Sequence, residues 1–543
     1  MRKKAVAMST VMDFSLRLVL LASVVRCAIE GVVSVPPSQY WDGDNGPWST
    51  FAIEAGTPPQ NLRVLASTSS SSTWVVVPDG CIPSDPSDCP SLRGFTFQTN
   101  SSRSWTDAGL FQLPLHSLTL LGYSGNAKFG LDNLTLGWQG QGGPELNHQV
   151  VGGIATKDFF VGSLGINARA VNFTDFNYPN ASLLGTLRAE NKIKGTSFGY
   201  TAGAPYKPTK IYGSLTFGGY DASRFTPNNM TFSFGYDTSR DLLIGIRDIS
   251  TNTTANSSKT TPPPPPLLPS PINAFIDTTV PDIWLPVSAC QQFEQTLGLV
   301  WDVATELYLV NDSLHNALLA RDEQFRFRFG MGLDGGETID LVVPYKAFDL
   351  DVTLPETQNK TRYFPIRRAA NDSMYTIGRV LLQESYLFVD YDRSTFTLSQ
   401  ALFPNANVPP KLTAIHAPTS SDSESGHLSR GAIAGITVSA ISATISLVII
   451  TTLLLHRRRK QKTVEVPGDK TEELDGSSGG RAVGDSYEVA ADQERELEAG
   501  GEDGLRRLRE LEAESRAVYE MPGSEVQVQE LGGRMMVEEK AKK

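Results

Sequence analysis

Two stretches of the chain share one pattern and decide how it is interpreted: VLASTSSSSTWVVVP at 64–78 and FIDTTVPDIWLP at 275–286. In each, a short apolar run leads into a turn of small polar residues. A tryptophan follows seven residues after the position at which the turn begins. That position holds Asp277 in the second stretch and Ser67 in the first. If the two turns face each other, they form a site that has one carboxylate instead of two.

The composition is that of a globular protein, with 40% hydrophobic and 20% charged residues in a chain of 543. That length is enough for more than one domain. The net charge of −11 and the lack of a basic stripe argue against a nucleic-acid partner. No His, Cys and acidic residues have the spacing of a metal site, and no glycine-rich phosphate loop opens a helix. We therefore expect no metal and no other cofactor.

Both ends of the chain carry features of a membrane protein. Basic residues after Met1 precede an apolar run at 18–25, which is typical of a secretory signal peptide, here placed at 1–28. Residues 431–455 carry no charge and, as a helix, are long enough to cross a bilayer. The basic run at 456–462 keeps the tail inside. We predict a single-pass type I protein of the cell surface or the secretory or vacuolar pathway, with its ectodomain extracellular or lumenal.

Glycosylation sequons and cysteines agree with that topology. Cys81 and Cys89 close a short loop and should pair in an oxidising compartment, whereas Cys290 has no evident partner. We interpret Cys290 as a buried thiol; a reactive or intermolecular thiol is the alternative. All Asn-X-Ser/Thr sequons lie between the two apolar segments and predict glycosylation of Asn100, Asn133, Asn172, Asn180, Asn229, Asn252, Asn256, Asn311, Asn359 and Asn371.

Composition also divides the chain. Residues 41–400 have the short alternating runs and turn clusters of an all-β protein. The proline-rich stretch 251–271 indicates an exposed insertion, with a linker between separate domains as the alternative. Residues 404–430 are interpreted as a stalk, and the polar tail at 456–543 as disordered. In the membrane segment, small residues recur every four positions and predict a possible homodimer contact: Gly431, Gly435, Ser439 and Ala443.

Residues from about 48 to 400 resemble the pepsin-like aspartic proteases (peptidase A1), most of all a fungal, membrane-anchored branch. The run from Ser67 to Trp74 matches the family's Asp-Thr-Gly-Ser-Ser-X-X-Trp apart from the acid and the glycine. Asp277-Thr-Thr is similar to the second Asp-Thr-Gly. Further segments match in the same order: GTPPQ at 56–60, the Cys81–Cys89 loop, GSLGI at 162–166, GSLTFGGYD at 213–221, Ile377-Gly378 and YLFVD at 386–390.

The resemblance implies an all-β, bilobal fold with a peptide-binding cleft between an N-terminal lobe at 41–205 and a C-terminal lobe at 206–403. Each lobe would present one turn at the floor of the cleft. Thr68, Thr278 and Trp74 would lie at this cleft. Tyr123 would be the tyrosine of the hairpin that closes over the substrate; an ordinary strand tyrosine is the alternative.

The missing acid decides the chemistry. In such enzymes two carboxylates share a proton and hold the water that attacks the peptide bond. A hydroxyl at Ser67 can donate a hydrogen bond but cannot accept the proton, and a histidine pattern for a serine nucleophile is absent from the sequence. We therefore expect a pseudo-protease that binds a peptide or protein in its cleft. The alternatives are an active aspartic endopeptidase with an altered site, and a surface sensor that signals through its tail.

Overall fold

The computed structural model describes residues 30–172, 179–251, 266–405 and 408–418. All of them belong to the first of the chain's two units, Met1–Leu453; the second, Leu454–Lys543, lies outside the described residues. The predicted signal peptide, membrane segment and cytoplasmic tail also lie outside them. Within the described ranges, no helix combines the length and apolar character needed to cross a membrane.

The described residues are mostly β, as the sequence predicts. The strands of the first half are β1 (Val33–Val35), β2 (Pro37–Asp42), β3 (Trp48–Ala55), β4 (Gln60–Ser67), β5 (Thr73–Val76), β6 (Thr106–Gln112), β7 (Asn126–Leu136), β8 (Glu145–Ile154), β9 (Gly162–Gly165), β10 (Ser197–Ala204), β11 (Ile211–Phe217) and β12 (Gly219–Asp221). Those of the second half are β13 (Phe232–Ser233), β14 (Leu243–Thr251), β15 (Ile272–Ile276), β16 (Ile283–Pro286), β17 (Val300–Asp302), β18 (Leu307–Leu309), β19 (Gln324–Gly330), β20 (Thr338–Pro344), β21 (Leu350–Val352), β22 (Thr361–Phe364), β23 (Ile366–Ala369), β24 (Thr376–Ile377), β25 (Ser385–Asp390), β26 (Thr395–Gln400) and β27 (Leu412–Ala414).

Helices are short and few among these residues. The α-helices are α1 (Cys89–Leu92), α2 (Leu183–Ala189), α3 (Val287–Leu297), α4 (Asp312–Ala320) and α5 (Tyr345–Phe348). Turns of 3₁₀-helix occur at Pro78–Gly80, Thr99–Ser101, His116–Leu121, Asp372–Met374 and Leu381–Gln383. At α4 the side chain of Asn311 caps the first turn by accepting a hydrogen bond from the Leu314 amide, which explains where that helix begins.

One topological motif occurs twice. In an eight-stranded sheet, β9 lies between β4 and β5, parallel to β4 and antiparallel to β5, and β8 runs parallel to β5 on the other side. In a seven-stranded sheet, β24 lies in the same way between β15 and β16, and β23 runs parallel to β16. The two similar sequence stretches are therefore equivalent parts of two related lobes.

β9 and β24 are each inserted between two other strands. A glycine at or directly after the end of each inserted strand permits its close approach to the neighbouring backbone. A Cβ added at Gly165 would come within 2.5 Å of the Ser72 carbonyl oxygen, and one at Gly378 within 2.3 Å of the Asp282 carbonyl oxygen. Both contacts are with backbone atoms, which cannot move aside cheaply. The inserted strands thus lie directly behind the turns that follow β4 and β15.

A six-stranded sheet joins the two halves of the chain, in the order β1-β11-β10-β25-β26-β13. Its strands come from residues before the first turn as well as from the last folded segment, so neither half forms its sheet alone. Apolar side chains from both lobes and from this sheet make one continuous core. This shared core fixes the position of one lobe against the other.

Several predicted boundaries differ from the observed ones. The folded part begins with β1, before the predicted lobe boundary at 41, and continues through β27, which pairs with β12 inside the predicted stalk. Main-chain pairing to β11 and β12 orders these short segments at the two ends of the folded part. The insertion at 251–271 connects β14 and β15, which are adjacent antiparallel strands of the second lobe; its residues 252–265 lie outside the described ones.

The cysteine predictions are confirmed. Cys81 and Cys89 form a disulfide, and Cys290 is a buried free thiol. Burial raises the pKa of the Cys290 thiol to about 12, so it is unreactive at neutral pH. Of the sequon asparagines that the structure describes, none has a buried side chain.

Arg93 ties the disulfide loop to the first lobe. It is 1% exposed, and its guanidinium donates hydrogen bonds to the carbonyl oxygens of Gly80, Thr156, Phe159 and Phe160 at 2.6–3.0 Å. These carbonyls belong to loops that have no strand partners of their own. Arg93 therefore donates to these carbonyl oxygens the hydrogen bonds that a neighbouring strand would donate in a sheet.

Replacing Arg93 with Met should lower the free energy of unfolding by roughly 3–5 kcal/mol, because buried carbonyls lose their donors. Urea unfolding of the full-length protein measures this change. Arg103→Met, at an exposed arginine, is the matched control and should change little. Equal midpoints for the two variants would contradict the proposed anchoring role.

Candidate functional site

The two turns meet where the lobes face each other. Ser67 is the last residue of β4, and Asp277 follows directly after β15, so the inserted strands place both at the same point of the repeated motif. Both are buried, at 0% and 6% exposure. The structure therefore brings together the pair that the sequence singled out.

Reciprocal hydrogen bonds hold the turns together. The amide of Thr68 donates to Thr278 Oγ1 at 3.0 Å, and the amide of Thr278 donates to Thr68 Oγ1 at 3.0 Å. The Thr278 hydroxyl then donates to the Ala66 carbonyl oxygen at 2.8 Å. Each threonine thus satisfies a buried backbone group of the opposite lobe. Their role is to hold the floor of the site, and their hydroxyls are fully used in doing so.

The Ser67 hydroxyl is engaged within the site rather than presented to a substrate. Its Oγ lies 2.6 Å from Thr279 Oγ1 and accepts a hydrogen bond from the Ser70 amide at 3.1 Å. Thr279 Oγ1 also lies 2.8 Å from Ser69 Oγ. We expect side chains at 69 and 279, where the family has glycine, to crowd the turns; instead, their hydroxyls bridge the two lobes.

Asp277 stands as a single acid in this network. Its Oδ1 accepts a hydrogen bond from the Thr279 amide at 2.9 Å. Burial raises the pKa of Asp277 above its ordinary value, and hydrogen bonds from Thr279 and Ser69 offset part of that rise. Among the described residues, the hydrogen-bond partners of Ser67 include neither Asp277 nor a histidine. Its hydroxyl is therefore hydrogen-bonded neither to a second carboxylate nor to the kind of base that activates a serine nucleophile.

Tyr123 lies in the segment that connects β6 and β7, which pair as a hairpin. Its ring stacks on Phe159 with centroids 5.5 Å apart, and Phe159 in turn meets the edge of Trp74 at 5.2 Å. Trp74 is fully buried, and its Nε1 donates to Ser72 Oγ at 2.9 Å. Burial raises the pKa of Tyr123. The tyrosine and the tryptophan therefore belong to one aromatic group on the first-lobe side of the site.

The hairpin segment at 113–125 closes against the second lobe. It contains the 3₁₀ turn His116–Leu121, which contacts the turn at Asp372–Met374. Four of its five leucines are buried in one apolar cluster with side chains of both lobes: Leu113, Leu115, Leu118 and Leu121 pack with Trp74, Phe159, Val280, Trp284 and Ala369, whereas Leu120 is exposed. Apolar side chains of this segment thus pack against both lobes.

Comparison with protein families accounts for this arrangement. Residues 50–401, more than half of the chain, match the model of the eukaryotic aspartyl protease family. The chain belongs to the eukaryotic aspartyl protease family. No curated protein sequence matches it significantly. The predicted family is confirmed for this aspartyl protease domain, and the fungal, membrane-anchored branch stays a prediction.

Sequence reasoning missed three buried charged residues near the site. Arg379 follows the glycine of the inserted strand and donates to the carbonyl oxygens of Thr278 and Thr279. Asp44 and Asp241 are buried acids, and burial raises their pKa values to about 7 and about 6. Arg379 could have been found from the sequence, because it directly follows the motif Ile377-Gly378. Asp44 and Asp241 belong to no such motif, and only the fold brings them near the site.

Replacing either turn threonine with valine should destabilise the protein while keeping the shape of the side chain. Thr278→Val leaves both the Thr68 amide and the Ala66 carbonyl unpaired, so we expect a loss of roughly 2–4 kcal/mol. Thr68→Val leaves the Thr278 amide unpaired and should cost roughly 1–3 kcal/mol. Urea unfolding gives both values, and Thr338→Val on an exposed strand position is the control. A reversed order of the two losses would argue against the reciprocal bonds.

Asp44 should make stability depend on pH. Its pKa is about 7 in the folded protein against 3.8 as the ordinary value, because burial disfavours the charged form. Below pH 3.8 both the folded and the unfolded protein hold the proton on Asp44, so its burial costs no stability through ionisation. As pH rises through about 7, ionisation favours the unfolded protein and the free energy of unfolding falls. The difference amounts to roughly 4 kcal/mol at most. Unfolding free energies from acidic to neutral pH should therefore fall less in Asp44→Asn than in the unmodified protein.

Removal of one negative charge elsewhere provides the control for that pH series. Asp107 lies on β6 and is exposed, so Asp107→Asn changes the net charge without removing a buried acid. Parallel pH profiles for Asp44→Asn and the unmodified protein would show that the pKa of Asp44 is the same in the folded and the unfolded protein, contrary to the expected effect of burial.

Proposed function

We propose that this chain is a membrane-anchored, catalytically inactive member of the aspartyl protease family whose ectodomain binds a peptide or protein ligand. One observation carries the proposal. At the first-lobe position equivalent to Asp277, the chain has Ser67, and its hydroxyl is held by Thr279 Oγ1 at 2.6 Å and by the Ser70 amide. The family's chemistry needs a carboxylate on each side of the attacking water.

A hydroxyl does not replace that carboxylate. The base must take a proton from water as the water attacks, and a serine hydroxyl has no acceptor capacity for a proton at acidic or neutral pH. Asp277 alone can act as acid or base but not as both in the same step. Loss of one positioned acid or base lowers a rate by about 10²–10⁴. Loss of the water's second support should lower it further.

The closed hairpin supports the same conclusion. Leu115 and Leu118 are 2% and 1% exposed because they pack against second-lobe side chains such as Val280. A peptide that enters between the lobes must displace these leucines and expose their apolar surface, at about 25 cal/mol per Å². Ligands that use the smaller openings beside the hairpin avoid that cost.

Features outside the described residues complete the proposal. The uncharged segment at 431–455 with its basic flank anchors the chain with the tail inside, and the sequons lie on the opposite side. Small residues in that segment would allow a homodimer. The ectodomain then presents its ligand site to the cell exterior or to a lumen of the secretory or vacuolar pathway.

Cleavage assays test the loss of catalysis. The full-length protein should not cut a diverse peptide mixture at any pH from acidic to neutral, and Ser67→Asp alone should gain little, because Ser69 and Thr279 still fill the turns. The triple variant Ser67→Asp/Ser69→Gly/Thr279→Gly should gain measurable cleavage, since it restores both the acid and the space around it.

Asp277→Asn is the matched control in both backgrounds. In the triple variant it should abolish the gained activity, which would locate the chemistry in the restored pair. Cleavage by the unmodified protein that disappears on Asp277→Asn would mean that a single carboxylate suffices, and the proposal of an inactive protein would fail.

A further inference from the structure

Arg379 is a buried cation with an incomplete set of partners. It is 4% exposed and lies directly behind the second turn. Its Nη1 donates to the carbonyl oxygens of Thr278 and Thr279 at 3.0 and 2.7 Å, whereas its Nε has no acceptor. Nη1 thus makes two hydrogen bonds to neighbouring carbonyl oxygens, whereas the Nε–H group makes none.

Its charge also has no directly paired carboxylate among the described residues; Asp44 acts on it only at longer range. Arg367, on β23 of the same sheet, shows the usual arrangement: it is paired with the buried Asp282 at 2.9 Å. Arg379 forms no such ion pair within the described part of the chain, and its guanidinium lies over the ring of Trp48 at 4.8 Å. A buried guanidinium without a directly paired anion is costly, so its surroundings favour the binding of one.

A cavity lies beside this guanidinium. It is a narrow opening lined by residues of both lobes, and the space in which a water-sized group can be centred amounts to about 30 Å³. Arg379 lines it together with Asp44, Tyr123, Ser163 and Asp158. The Asp158 carboxylate is already occupied, because its Oδ2 accepts from the amide and the hydroxyl of Ser124. An anion that enters would thus meet Arg379 as the cation of the wall.

We propose that this cavity binds a carboxylate group and that Arg379 is its charge partner. A planar guanidinium matches a carboxylate in geometry and charge. A monoanion fits better than a phosphate, because Asp44 and Asp158 in the same wall would repel a dianion. The inference deepens the proposed binding role: it names an acidic side chain or a peptide carboxyl terminus as the group that the ectodomain recognises.

Acetate is the probe for the site itself. Thermal unfolding of the full-length protein at neutral pH should shift upward with millimolar acetate, because a ligand that binds only the folded state stabilises it. Acetamide, the neutral isostere, and sodium chloride at equal ionic strength should not produce this shift. Arg379→Met should weaken acetate binding by at least about tenfold. Equal shifts with acetate and acetamide would overturn the proposal.

A second variant guards against misfolding of Arg379→Met, which leaves the Thr278 and Thr279 carbonyls without a donor. Asp44→Asn keeps those bonds and removes an acid from the cavity wall. Measured above pH 7, where Asp44 carries its charge, this variant should bind acetate severalfold more tightly than the unmodified protein, because the repulsion between two carboxylates is removed. A weaker or unchanged acetate affinity in Asp44→Asn would contradict a carboxylate site in this cavity.

Three short peptides of one sequence distinguish the sources of the carboxylate: one with a free carboxyl terminus, one amidated, and one amidated with an internal Glu. Binding of the first alone identifies a terminal carboxylate, and binding of the third identifies an acidic side chain. Failure of all three, with Arg379-dependent acetate binding intact, would leave the carboxylate site standing and count against the peptide-binding role. The cleavage assays above are independent of either result.

Discussion

The paired threonines Thr68 and Thr278 set the geometry on which the rest of the site depends. Each turn is a short stretch of backbone that leaves a sheet and exposes an amide with no strand partner. The hydroxyl of the opposite threonine accepts from that amide at 3.0 Å in both directions. Within the lobe arrangement that the shared core sets, this pair of hydrogen bonds holds each turn against the other and so positions the residues beside the threonines.

That dependence explains how the first turn keeps its position with a serine, Ser67, at its start. The turns are held by threonine hydroxyls, by backbone amides and by the inserted strands behind Gly165 and Gly378. The Ser67 hydroxyl adds a hydrogen bond with Thr279 Oγ1 and accepts another from the Ser70 amide. Stability therefore does not require two acids. Removing one even relieves the repulsion of two buried like charges.

The sequence predicted what repeats or pairs locally. The two similar stretches, the cysteine pair and the strand at 162–166 could be read from short motifs, because their contacts follow from spacing and turn chemistry. The closure of the hairpin could not, although Leu113, Leu115, Leu118 and Leu121 are visible in the sequence as apolar residues in a loop. Their partners Val280 and Trp284 lie far along the chain, and only the docking of two lobes brings them together.

The charged side chains at the floor of the site are the buried acid Asp277 and the buried guanidinium of Arg379. Burial raises the pKa of Asp277 more than its hydrogen bonds and the charge of Arg379 lower it. The acid therefore tends to hold its proton. Arg379 itself retains a donor without an acceptor. A floor with two acids suits a shared proton and an activated water. Under the proposed function, a floor with one protonation-prone acid and a buried guanidinium would offer an anion a partner and give water no second base.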